Sequence, residues 1–227
     1  ESAFTVKHAI AVNSGTMALM AAIRALHLPK GGEIITTPYT FSATAAAAIF
    51  MGYTPVFADV MGSDYTLDPI SVARAVTAET VAIMPVDLFG GLADYNELKR
   101  SGLPIIQDAC QAVGATRTWL YGQVAAWSFN GAKNVPAGEA GMVLTNSEDI
   151  ANRARLFISH GENFHQTDIG INGRLNEITA CVAYFGMKDL PKNNARRRVL
   201  AGELWKRLKD REDIYIPGPD RIAHHAL

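Results

Sequence analysis

The chain has 227 residues, a formal net charge of −1, 48% hydrophobic residues and 19% charged residues. That length suits one large domain or one and a half smaller ones, and the composition is globular, which excludes a disordered chain. The near-balanced charge excludes a polyanion-binding surface, so nucleic acid is not an expected partner.

In chain order, Ser14-Gly15-Thr16 precede an apolar helix running to about His27. Glu33 to Thr37 reads as a short buried strand, followed by an alanine-rich helix from about Phe41 to Met51 that Gly52 closes. Thr54 to Val60 is the next strand. Asp68 then caps a helix whose first position is Pro69. Thr80 to Val86 and Pro104 to Ala109 are further apolar strands, separated by a helix around Asp94 to Arg100. Val124 to Phe129 and Gly141 to Thr145 add two more. Continuous apolar strands divided by helices indicate an α/β fold, with a mostly parallel sheet covered on both faces in three layers.

After Ser147 the pattern becomes helical: Glu148 to Ser159, Arg174 to Leu190, and Asn194 to Arg211. Pro191 is expected to break the last two apart and to mark a domain boundary. The division is then residues 1–190 as a large domain, and residues 191–227 as a linker helix and the incomplete beginning of a small C-terminal domain. Ile214 to Pro219 reads as its opening strand and turn. There is no internal repeat.

The longest apolar stretch, Ala43 to Met51, is too short to span a membrane. Cys110 and Cys181 fit neither a disulfide framework nor a metal spacing, so buried free thiols in a reducing cytoplasm are expected. The chain begins at Glu1 without a methionine, and no signal peptide is visible in it. His160-Gly161 reads as a helix end with glycine at C′. His165 and His224-His225 have no metal-ligand spacing, so no metal is expected. Arg196-Arg197-Arg198 reads as a solvated helix face or a dimer rim.

Three segments could carry chemistry. Asn13 to Leu19 places Ser, Gly and Thr at a positive helix end, a competent phosphate site, although ordinary capping uses the same residues. Asp108 in Gln107-Asp108-Ala109-Cys110-Gln111 stands at the carboxyl end of a strand, where parallel sheets bind ligands, although it could equally cap the next turn. Lys133, in the turn after Trp127-Ser128-Phe129, is either a solvated charge or an amine desolvated enough to act as a nucleophile.

Read together, these segments resemble the DegT/StrS-type sugar aminotransferase family, pyridoxal-phosphate enzymes of the aspartate-aminotransferase fold. The matching motifs are Ser14 to Leu19, Tyr39-Thr40-Phe41, Gln107 to Ala115, Ser128 to Asn134, and Gly170-Ile171-Asn172-Gly173-Arg174. The motifs occur in order, and the resemblance covers the chain from about Phe4 to Leu208. The resemblance implies that residues 1–190 form the large domain that binds pyridoxal 5′-phosphate. It implies that Lys133 forms the internal aldimine and shuttles the proton between substrate and cofactor carbons. Asp108 would pair with the pyridinium nitrogen, with Gln111 near the phenolic oxygen and Phe41 stacked on the ring. Gly15, Thr16, Met17 and Ser128 would bind the phosphate. Asn172 would reach the phosphate of a partner subunit, which implies a homodimer with shared active sites.

The implied reaction transfers an amino group from glutamate or glutamine to a ketone on a nucleotide-linked sugar or a cyclitol. The stretch Ala137 to Gly141 resembles the Gly-Glu-Gly-Gly of cyclitol and aminobenzoate-forming members, a slight lean toward a cyclitol or antibiotic-precursor ketone. An aromatising dehydratase that retains the lysine is the alternative. A catalytically silent regulatory or binding module is a third reading, which the joint presence of Lys133, Asp108 and Ser128 disfavours. Three positions depart from the family pattern: Asp87 where His is usual, Gln107 for Glu, and Val113 for His. Relative to the family, the chain lacks an N-terminal segment and most of the small C-terminal domain.

Overall fold

The computed structural model describes residues 5–115, 120–162 and 168–214. The expected strand and turn from Ile214 to Pro219 therefore lie almost wholly outside the described residues, as do His165, His224 and His225. The elements in chain order are β1 (His8–Val12), α1 (Gly15–Ala25), β2 (Glu33–Thr36), α2 (Ala43–Phe50), β3 (Thr54–Phe57), α3 (Pro69–Ala75) and β4 (Thr80–Ile83). There follow α4 (Tyr95–Leu98), β5 (Ile106–Asp108), β6 (Val124–Ser128), β7 (Gly141–Thr145), α5 (Glu148–Ile158) and α6 (Glu177–Leu208).

The strands form two ladders, β3-β2-β4 and β5-β6-β7-β1. Single parallel bridges, Ile83 to Ile105 and Val86 to Asp108, join β4 to β5. The order is thus β3-β2-β4-β5-β6-β7-β1, parallel from β3 to β6 and antiparallel at β6-β7 and β7-β1. The mostly parallel sheet is as the sequence implies. β1 was not foreseen. Its sequence His-Ala-Ile-Ala-Val has little strand propensity, and it is held by its pairing with β7.

Side chains alternate between the two faces of the sheet. Ile34, Ala82, Met84, Ile106, Val124, Ala126 and Val143 enter one core with α1, α2 and α5. Their neighbours Ile35, Ile83 and Ile105 meet α3 and α4, while Ala125, Trp127 and Leu144 share a core with Ala183 and Leu190 of α6. These are the three layers expected from apolar strands buried on both sides. Local chemistry sets the helix starts: the Ser14, Asp68, Asp94, Ser147 and Asn176 side chains each accept a backbone N–H in the first turn.

The expected break at Pro191 does not occur. α6 runs unbroken from Glu177 to Leu208 with Pro191 inside it. Proline removes one intrahelical bond, but Leu190 and Asn194 on either side of it are buried against the body and carry the helix through. Close approach there needs Gly114, which sits at φ +79 directly under Leu190 and the Asn194 side-chain amide. At the end of α5 both His160 and Gly161 are left-handed, so the glycine lies one position beyond the C′ site expected for it.

A methyl group at Gly114 meets both the strained backbone and α6, whereas Gly102 at φ +71 faces open space. Gly102→Ala is expected to cost about 1–2 kcal/mol for its left-handed backbone, and Gly114→Ala measurably more. Urea unfolding of the two variants checks this; equal losses contradict the packing at Gly114.

Candidate active site

A cavity of about 360 Å³ opens where α1, α2 and the carboxyl ends of β5 and β6 converge, within the roughly 300–1,000 Å³ typical of small-molecule sites. Gly15, Thr16, Phe41, Asp108, Gln111, Ser128 and Lys133 all line it. Seven of the residues singled out from the sequence, drawn from four separate segments, are thus brought together.

The floor is built from the N-terminus of α1. Ser14 Oγ accepts from Met17 N at 3.1 Å, and the first N–H groups of a helix have no intrahelical acceptor. Gly15 lies so close to β6 that a Cβ there would stand 2.7 Å from Ser128 Cβ. Only glycine lets the helix end and the Ser128 hydroxyl share this corner. Ser128 Oγ accepts from Asn130 N at 3.3 Å, which leaves its O–H free to donate.

Asp108 forms the back wall. It ends β5 and is buried, with Oδ2 accepting from Thr44 Oγ1 at 2.8 Å and Oδ1 from Cys110 N at 3.1 Å. Burial pushes its carboxyl above the ordinary value; the bonds from Thr44 and Cys110 and the nearby Lys133 charge pull it back. Thr44 is in turn linked to Thr40 through their hydroxyls at 2.9 Å. The same burial, with the Asp108 charge, pushes the Cys110 thiol well up.

Lys133 sits in a loop closed by Lys133 N to Asn130 O (2.8 Å) and Gly131 N to Gly138 O (2.9 Å). Asn130 Nδ2 donates to Glu139 Oε1 at 2.6 Å, bringing Glu139 to the cavity wall. Gln111 Oε1 accepts from Phe89 N at 3.4 Å. Phe41 reaches the mouth with 69% of its surface exposed.

Two of the expected residues stand elsewhere. The Met17 side chain packs against the α1–α5 core beside Gly173, and its N–H is already taken by Ser14. Asn172 is exposed, and its carbonyl accepts from Asn13 Nδ2 at 3.3 Å. Sequence reasoning missed Thr44 and noted Glu139 only as part of the stretch Ala137 to Gly141. For Thr44 the signal was available: a lone hydroxyl in the alanine run Ala43 to Ala48.

The departures from the family pattern also find their places. Asp87 is fully buried behind the cavity. It accepts from Tyr95 Oη at 2.8 Å, Gln107 Nε2 at 2.8 Å and Ala93 N at 3.2 Å. Gln107 Oε1 takes Tyr121 N at 2.8 Å. The Asp and the Gln are therefore partners, and their amide and carboxylate are saturated by the protein interior. Val113 is buried beneath α6, where its carbonyl, not its side chain, makes the polar contacts.

The layered fold and this cavity define a three-layer α/β protein with a small-molecule site at the carboxyl ends of its central strands. The chain is 30% identical to NtdA from Bacillus subtilis, solved with its cofactor PMP, at a TM-score of 0.91 over 99% of this chain and 54% of that one. It is 31% identical to 3-amino-5-hydroxybenzoic acid synthase, at a TM-score of 0.92 over 99% and 62%. A UDP-N-acetyl-3-dehydro-α-D-glucosamine 3-aminotransferase of Acidithiobacillus ferrooxidans is 35% identical over 98% of this chain and 63% of its own length. The profile of the DegT/DnrJ/EryC1/StrS aminotransferase family matches residues 2–227. The chain belongs to that family. It spans about three fifths of the length of the curated relatives it matches, 61% and 63% for two of them.

Burial raises Asp87 from 3.8 to about 7. The folded protein then holds this proton more tightly than the unfolded chain does. The resulting stabilisation is complete below 3.8 and is lost as pH rises through about 7. Relative to Asp87→Asn, the wild type is expected to lose stability across that window by up to about 1.4 kcal/mol per pH unit. Urea midpoints measured against pH check this; parallel profiles contradict it.

Proposed function

We propose that the chain is the catalytic large domain of a pyridoxal-phosphate-dependent aminotransferase. The supporting observation is the convergence of Lys133, Asp108 and the Gly15–Ser128 corner on one cavity. The residues fit the cofactor. Gly15, Thr16 and Ser128 offer N–H and O–H donors in a corner that a Cβ at Gly15 would fill. Asp108 is a buried carboxylate with two donors and no cation of its own beyond the nearby Lys133. Met17, whose N–H is taken by Ser14, would serve only by holding the helix end in place, and Gln111 and Phe41 would flank the ring.

When bound, the cofactor supplies a cationic ring that withdraws electrons from the carbon bearing the amine. Asp108 would hold a proton on the ring nitrogen through its negative charge. Thr44 and the Cys110 amide hold that carboxylate in place. Lys133 Nζ would anchor the cofactor and supply the acid and base that moves a proton at the reacting carbon. Ser128 and the α1 end would hold the phosphate and so orient the group.

The donor we propose is glutamate or glutamine, and the acceptor a ketone on a nucleotide-linked sugar or a cyclitol; the naming of one relative for a UDP-sugar supports the former. Antibiotic-precursor biosynthesis is a setting that fits such an acceptor, and relatives named for erythromycin biosynthesis support it. We also propose a homodimer with shared sites, in which Asn172 serves the partner's cavity. The exposed aromatic rings of Tyr39 and Phe41, beside Thr40 at the cavity, support a covering surface near the mouth. Residues 1–190 would be the cofactor domain and residues 191–227 the lead into a smaller one. A cytoplasmic setting is supported by the free thiols, although Cys181 is exposed and Cys110 only partly buried, not buried as expected; no described helix is long and apolar enough to cross a membrane. An aromatising dehydratase is the second reading, favoured by the likeness to 3-amino-5-hydroxybenzoic acid synthase and by Glu139 on the cavity wall.

The purified full-length protein with pyridoxal phosphate is expected to absorb in the visible. Glutamate or glutamine should shift that absorbance toward the pyridoxamine region, and Lys133→Ala should abolish the visible band. Asp108→Asn should slow the shift on the order of a hundredfold or more. A band that neither donor moves favours the dehydratase; no band in the wild type overturns the cofactor assignment.

A further inference from the structure

α6 docks on the body along one stripe, Ala183, Gly186, Leu190, Asn194 and Arg198, spaced three or four residues apart as one helix face requires. What lies under the stripe is not the sheet alone. Gly186 packs on Val135, and Asn194 and Arg198 reach the loop after Asp108. The two loops that form the cavity's working wall, one with Gln111 and one with Lys133, thus meet α6 at a single joint.

The joint is a set of four side-chain hydrogen bonds, three from amides and one from a guanidinium. Asn134, the residue after Lys133, donates from Nδ2 to Val113 O at 3.1 Å and to Asn194 Oδ1 at 2.9 Å. Asn194 Nδ2 donates to the same Val113 O at 3.2 Å. Arg198 Nη2 donates to Gly114 O at 3.0 Å. Asn134 and Asn194 are 3% and 2% exposed, so water does not compete for these bonds. Buried apolar side chains would fill this space without needing partners. Buried amides instead reward one register and penalise others, because any slip leaves them unpaired.

We propose that Asn194 is a positioning residue for Lys133. Acting through Asn134, it fixes the lysine loop against the Gln111 loop and so sets where Lys133 Nζ stands in the cavity. α6 is then a structural link between the reacting lysine and whatever lies beyond Leu208. The role rests on the cofactor reading of Lys133; the clasp itself does not.

The test uses the full-length protein, first without cofactor. In Asn194→Ala, hydrogen exchange across residues 130–138 is expected to run about tenfold faster than in the wild type. Amides of the β1–β7 ladder should keep wild-type rates. Asn134→Ala breaks the same joint from the other side and should give the same pattern, so the result does not hang on one variant folding well. Acceleration shared by β7, or none in the loop, overturns the clasp. With pyridoxal phosphate loaded, the pH midpoint of the visible band should shift in both single variants, and shift no further in the double. An unmoved midpoint overturns the positioning role while leaving Lys133 its own. A wild type that forms no band at all removes the role of Lys133 and this inference with it, whatever the exchange rates are.

Discussion

A carboxylate with almost no access to water, at the carboxyl end of a central parallel strand, is the constraint that organises this molecule. Burying Asp108 costs free energy unless its charge is matched. Thr44 and the Cys110 amide match part of it. The remainder faces a cavity and invites a cation. Thr44 is where it is because α2 begins just before it and packs on β2 and β3. Cys110 is where it is because the chain turns sharply after β5. Even the close approach of α1 to β6 at Gly15 serves the same corner, by putting the α1 end and the Ser128 hydroxyl on the cavity that Asp108 faces.

Two buried aspartates sit side by side here, and their surroundings give them different work. Asp87 and Asp108 lie at the ends of neighbouring strands, joined by Asp87 N to Asp108 O at 2.9 Å. Asp87 has three donors, all from the protein, and does not itself line the cavity. It secures the turn from Leu88 to Gly90 and ties it to Tyr95, which stacks on Tyr121. Asp87 and Gln107, the two departures from the family pattern, are thus bonded to each other between the strands. Asp108 has fewer donors and an open side. Saturation, not residue type, separates the structural carboxylate from the reactive one.

Much of this site was legible because it is made of residues at strand and helix ends, where spacing along the chain translates into position. Ser14 to Thr16 before an apolar run, Asp108 closing one strand and Lys133 following another required no knowledge of distant packing. Thr44 and Glu139 depend on it: each becomes part of the site only through a partner far along the chain or across a loop. The same holds for β1, which exists by virtue of its register with β7. Pro191 shows the reverse error. Its local preference for ending a helix is real, but packing of Leu190 and Asn194 on Gly114 outweighs it.

The central claim is that Lys133 carries the cofactor against Asp108. Borohydride reduction of the full-length protein incubated with pyridoxal phosphate, followed by peptide mass mapping, tests it most directly. A single phosphopyridoxyl adduct on Lys133 is the expected result. An adduct on another lysine, or scattered labelling with Lys133 unmodified, contradicts the account.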